Sequence, residues 1–118
     1  MMPTLRIVLI VPAVSLLMPW LLEAHAILVR STPSPNQVVN GKAVSIDLRF
    51  NSRVDGKRSR LSLVDPAGTV RELSIDQPSQ DALVSHASDL APGRYLLRWQ
   101  VLAADGHITR GELPFQAT

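Results

Sequence analysis

Apolar residues follow two different patterns along the chain. The first is a block: Ile7 to Leu22 carries no charge and is dominated by apolar side chains. The second is alternation. Val44, Ile46, Leu48 and Phe50 alternate with Ser45, Asp47 and Arg49, and Tyr95, Leu97, Trp99 and Val101 fall opposite Arg94, Arg98 and Gln100. Successive side chains of a strand point to opposite faces, so this period of two predicts half-buried strands over Val44–Phe50 and Arg94–Leu102. Weaker candidates are Ile27–Val29, Arg60–Val64, Thr69–Ile75, Ala82–Ser85 and Ile108–Ala117. No segment sustains the 3.6-residue period of an amphipathic helix. Turn signals separate the runs: Ser31–Asn36, Asn40-Gly41-Lys42, Asp55-Gly56-Lys57, Asp65–Gly68, Gln77-Pro78-Ser79, Ala91-Pro92-Gly93 and Ala104-Asp105-Gly106. Gly tolerates positive φ and Pro presets φ, so each cluster can reverse the chain. About seven short strands at this spacing predict an all-β fold, a single antiparallel sandwich or small barrel.

The apolar block is shorter than the ~20 residues of a membrane-spanning helix. Arg6 and the amino terminus precede it, and the small residues Ala24 and Ala26 follow. This is the layout of a secretory signal peptide. The expected division is residues 1–24 as signal peptide and 25–118 as one β domain, cut after Ala24. Ala24-His25-Ala26 is itself an Ala-x-Ala site, so cleavage after Ala26, which discards His25, stays open. Leu22 at the −3 position of the first cut is less typical than Ala.

A chain of this size supports one modest core, which excludes large enzymes and multidomain machines. The leader removes one charge of each sign, Arg6 and Glu23, so the net charge stays at +2. That balance does not suggest nucleic acid as a partner. The local excess Arg53, Lys57, Arg58, Arg60 reads as a solvated loop. There is no cysteine. Export normally permits disulfides, so the core must hold the domain unaided, and thiolate chemistry and zinc–thiolate sites are excluded.

Two features carry candidate chemistry. His25 becomes the first residue of the mature chain if cleavage follows Ala24. Its α-amine and ring Nδ1 can then close a chelate ring on one metal, both losing protons near neutrality with the metal's help. The second feature is Asp105-Gly106-His107. In an extended segment residues two apart point the same way, and Gly106 removes bulk between them. Together the groups offer three nitrogens and an oxygen, a set that suits tetragonal Cu(II) better than Cu(I). The plainer readings are an Asp-Gly hairpin turn and an incidental histidine. His86, in Ser85-His86-Ala87-Ser88, reads as a solvated loop residue, and Tyr95 and Trp99 as core.

The segment His25-Ala26-Ile27-Leu28-Val29-Arg30-Ser31-Thr32-Pro33 resembles the mature start of the CopC-type periplasmic copper-binding family. Tyr95-Leu96-Leu97-Arg98-Trp99-Gln100-Val101-Leu102-Ala103-Ala104-Asp105-Gly106-His107 is similar to its C-terminal signature, continued by Gly111 and Phe115, and Leu90-Ala91-Pro92-Gly93 to the turn before it. The resemblance implies a seven-stranded Greek-key sandwich or barrel, cupredoxin- or immunoglobulin-like. It implies one Cu(II) per chain, held by the amine and ring of His25 with Asp105 and His107, an arrangement called a histidine brace. It further implies a soluble, monomeric periplasmic carrier or buffer, not an enzyme, serving copper resistance or uptake. The partners are then the copper ion and an inner-membrane copper transporter of the CopD type, with no nucleic acid. The chain departs from the family twice. Many members carry an acidic residue after the first long strand, whereas Phe50-Asn51-Ser52-Arg53-Val54 has no carboxylate before Asp55. Some have a Met-rich Cu(I) site, whereas Met1, Met2 and Met18 all lie in the leader here. The alternative readings are a small histidine-brace copper oxidoreductase and a metal-free structural sandwich. The oxidoreductases need an aromatic-rich substrate surface, and Phe50, Tyr95, Trp99 and Phe115 all fall at core positions.

Overall fold

The structure, a computed structural model, describes residues 26–118. They form eight strands: β1 Leu28–Thr32, β2 Val38–Val39, β3 Val44–Phe50, β4 Val54–Val64, β5 Val70–Leu73, β6 Ala82–Ala87, β7 Gly93–Ala103 and β8 Ile108–Ala117. A three-stranded sheet in the order β1-β3-β6 faces a five-stranded sheet in the order β2-β8-β7-β4-β5. All pairings are antiparallel except β2 with β8. The β4–β5 and β7–β8 connections stay within one sheet, and the others cross between the layers.

The alternating runs bury the faces they predict. Val44, Ile46, Leu48 and Phe50 of β3 meet Leu61 and Leu63 of β4, Leu97 and Val101 of β7, and Leu113 and Phe115 of β8 in one core. Tyr95 stacks on Phe115 with ring centroids 5.4 Å apart, and its hydroxyl donates to the Ala91 carbonyl at 2.7 Å. A buried phenol thus finds a partner for its polar end. Trp99 is half-buried rather than enclosed. It stands opposite Gly111 in the β7–β8 ladder, and a Cβ at Gly111 would collide with the indole.

Three expectations need correction. Asp55-Gly56-Lys57 is not a turn: β4 runs through it, with the β4–β7 register shifting between Asp55 and Arg60. The ladder groups freed by this bulge are met by side chains. Gln77 Oε1 accepts from the Gly56 N–H at 2.9 Å and its Nε2 donates to the Val54 carbonyl at 2.8 Å. The Ser59 hydroxyl donates to the Asp55 carbonyl at 2.6 Å and accepts from the Leu102 N–H at 3.1 Å. Lys57, Arg58 and Arg60 are therefore exposed strand residues, and only Arg53 of that cluster lies in a loop. His86 belongs to β6, paired with Ser45, and not to a loop. The strand beyond the expected seven, β2, is two residues between turn clusters, too short to show a period.

Gly111→Ala should lower stability by about 1–3 kcal/mol, the cost of overpacking a filled site. Urea unfolding of a chain starting at residue 25, whose only tryptophan is Trp99, checks this through its emission.

Candidate metal centre

The first described residues, Ala26 and Ile27, and the β7–β8 hairpin meet at one short loop. Ala26 is fully buried in the core. The next residue, Ile27, is bonded to Asn51 twice: its N–H donates to Asn51 Oδ1 at 2.8 Å, and its carbonyl accepts from the Asn51 N–H at 2.9 Å. Two residues further along the same loop, the Arg53 carbonyl accepts from the Ala104 N–H at 3.0 Å. Asn51-Ser52-Arg53 therefore ties residue 27 and residue 104 to the same end of the sandwich. Beside it runs an open groove of about 520 Å³ lined by Arg53, Asp55, Gln77, Ser79, Gln80 and Ala104. Arg49, just before the loop, is held charged by hydrogen bonding to Asp47 at 2.8 Å, which raises its pKa above the ordinary guanidinium value.

Asp105-Gly106-His107 forms the tip of the hairpin. The Gly106 N–H donates to the Ala103 carbonyl at 2.9 Å, and the Ala103 N–H to the His107 carbonyl at 2.8 Å. Gly106 has φ +90°, where an L side chain is strained, so glycine lets the three-residue loop close. The segment is thus a turn, not the extended stretch assumed from the sequence. The plain reading holds, since the segment is a hairpin turn, and the turn itself brings the Asp105 and His107 side chains into contact. Asp105 Oδ1 accepts from the His107 backbone N–H at 3.0 Å, and Oδ2 lies 2.8 Å from His107 Nδ1. One carboxylate therefore sets both the backbone and the ring of His107. With Nδ1 turned to Asp105, the Nε2 edge faces the opposite way. The His107 side chain is 63% exposed and that of Asp105 25%.

His25, the third expected ligand, lies outside the described residues. Among the described residues no three His, Asp or Glu side chains converge, and Asp105–His107 is a pair. His86 sits on an exposed position of β6, apart from the hairpin. Sequence reasoning missed Asn51 and the Arg53 carbonyl. An Asn after a strand signals only a turn, and a backbone acceptor has no signature at all. Ser52, in the segment where a carboxylate was looked for, is partly buried, and its hydroxyl has no hydrogen-bond partner among the described residues.

Residues 28–118 match the sequence pattern of the CopC domain. This chain belongs to the CopC domain family. As a CopC-domain chain it is 31% identical to protein YobA of Escherichia coli K12, over 95% of its own length and 93% of YobA's. YobA of Shigella flexneri shows the same identity and coverage. Among solved structures it is similar to CopC from Methylosinus trichosporium OB3b, with a TM-score of 0.73 and 30% identity over 79% of this chain and 93% of that one. PcoC, a methionine-rich copper resistance protein from Escherichia coli, shares the fold at a TM-score of 0.64 and 21% identity, over 80% of this chain and all of PcoC. Unlike a methionine-rich protein, this CopC domain carries no methionine after Met18.

Asp105→Ala should release the His107 amide and remove the Nδ1 contact while costing about 1 kcal/mol or less in stability, because the pair is solvated. Faster hydrogen exchange at the His107 amide, with urea unfolding nearly unchanged, is the expected result.

Proposed function

We propose that this CopC-domain protein is a periplasmic Cu(II) carrier, exported by a signal peptide spanning residues 1–24. It binds one Cu(II) per chain through the α-amine and ring of His25, with Asp105 and His107, and passes it to an inner-membrane transporter of the CopD type. The observation that carries this reading is the shared loop: Asn51 holds Ile27 and Arg53 holds Ala104, so the chain's start and the Asp105–His107 pair lie at one end of the sandwich.

The donor chemistry fits. Imidazole, amine and carboxylate are ligands that Cu(II) accepts in tetragonal sites. Asp105 holds His107 at Nδ1, and the proposed ligating atom is Nε2. A metal-bound imidazole commonly has its other nitrogen held in this way by a carboxylate. A carboxylate has about four lone-pair positions, so Asp105 can orient His107 and also offer an oxygen to the metal. Ala26 supports the choice of cleavage site. It is fully buried, so a cut after Ala26 would remove a core residue together with His25. The carrier role is favoured over oxidation of a polymeric substrate because Phe50, Tyr95 and Phe115 are buried, and the half-buried Trp99 by itself makes no extended aromatic face.

An extra residue placed before His25 turns its amine into an amide and should weaken Cu(II) binding strongly in a competition titration. His107→Ala should cost more than the ~10–100-fold typical of losing an outer partner of a ligand. If the extended protein held Cu(II) as tightly as the native one, the His25 assignment would be wrong.

No soft donor exists in residues 25–118, which lack Cys and Met. Cu(I) favours such donors, so the bound metal should be lost on reduction. Anaerobic reduction of the loaded protein beside a Cu(I) chelator should transfer copper to the chelator. Retention would contradict the carrier reading and favour a redox role.

A further inference from the structure

Asn51 follows directly on β3, whose last residue Phe50 pairs with Leu28. One step beyond that pair, Asn51 and Ile27 face each other. In a regular antiparallel pair of this kind each residue would give and take one backbone bond. Half of the pattern is kept, with the Asn51 N–H donating to the Ile27 carbonyl at 2.9 Å. The other half is not: the Ile27 N–H goes to the side-chain oxygen of Asn51 at 2.8 Å instead of its carbonyl. An Asn side chain is short enough to stand in for a backbone acceptor next to its own main chain. The substitution lets the backbone leave the ladder at Asn51 and turn through Ser52, so that the Arg53 carbonyl reaches Ala104 at 3.0 Å. A plain continuation of the ladder would hold Ile27 but would carry residue 53 away in line with β3.

Ile27 is therefore fixed at both its polar backbone groups by one residue, and Ala26 before it is fixed by burial. His25 is one peptide unit further on, a Cα step of about 3.8 Å. The bonds at Ile27 and the burial of Ala26 together therefore limit where the preceding residue can sit. We propose that Asn51 is a positioning residue of the metal centre: its side-chain amide registers the chain's start against the Asp105-Gly106-His107 hairpin. Asn51 need not touch the metal to do so. The inference rests on the function proposed above and adds the residue that makes its two halves meet.

The test uses the exported protein with Asn51→Leu, which keeps the side-chain size and removes the acceptor, and Asn51→Asp, which keeps an acceptor oxygen. Two readouts are taken on each. The first is hydrogen exchange of the Ile27 amide in copper-free protein. The second is the Cu(II) electron paramagnetic resonance spectrum with the rate of copper loss to a chelator. In Asn51→Leu the Ile27 amide should exchange about five- to tenfold faster, the size expected for one hydrogen bond. Copper loss should accelerate by a similar factor and the Cu(II) spectrum should change. Asn51→Asp should restore the slow Ile27 exchange; it is judged on the copper-free protein because its added charge can act on the metal directly. If Asn51→Leu does not fold, Asn51→Ser replaces it, since a hydroxyl on Cβ falls short of the Ile27 N–H. A leucine variant with fast Ile27 exchange but the wild-type spectrum and loss rate would overturn the positioning role while leaving the proposed function intact. A wild-type protein that takes up no Cu(II), or that is indifferent to an extra residue before His25, overturns the proposed function and Asn51's role with it.

Discussion

Three consecutive residues between β3 and β4 govern what this sandwich can present at its end. Asn51 satisfies both backbone groups of Ile27, and Arg53 accepts from Ala104. Each bond contributes only on the order of 1 kcal/mol to stability. Their consequence is geometric. They join β1, the edge strand of the three-stranded sheet, to the β7–β8 hairpin of the five-stranded sheet. Segments separated by most of the domain's sequence are thereby brought together on a rigid frame, where two neighbouring strands alone would offer no common site.

The frame is rigid because the core beneath the loop is continuous. Phe50, the residue before Asn51, and Val54, the residue after Arg53, are both buried. The loop is thus pinned at each end by apolar burial, which is worth roughly 1.5–3 kcal/mol per large aliphatic or aromatic side chain. The same holds for the hairpin, where Val101 and Ala103 are buried just before the exposed tip. With no disulfide available, placement of the functional groups depends wholly on packing and on backbone bonds near the loop ends.

Much of this was legible in the sequence. The period of two in Val44–Phe50 and Tyr95–Val101 marks the two faces that make the core, because a strand buried on one side cannot hide its alternation. That Asp105 and His107 lie together was legible, though the geometry was not: a turn with Gly106 at positive φ, rather than an extended stretch, brings the side chains together. Asp55-Gly56-Lys57 misleads for a related reason. Asp-Gly is a strong local turn signal, but Gln77 and Ser59 supply the missing partners from elsewhere, and the tertiary structure turns a hairpin signal into a bulge. β2 is invisible because two residues have no period. Asn51's clamp is invisible because it depends on which residue stands opposite, and a single sequence does not state its own register.

In the function we propose, the mature chain begins with His25, and this residue holds copper with the Asp105–His107 pair. Native mass spectrometry of the protein recovered from the periplasm of copper-grown cells tests both parts in one spectrum. The expected species starts His-Ala-Ile-Leu and carries one copper ion. A chain starting at Ile27, or a His25 chain that carries no copper, would contradict it.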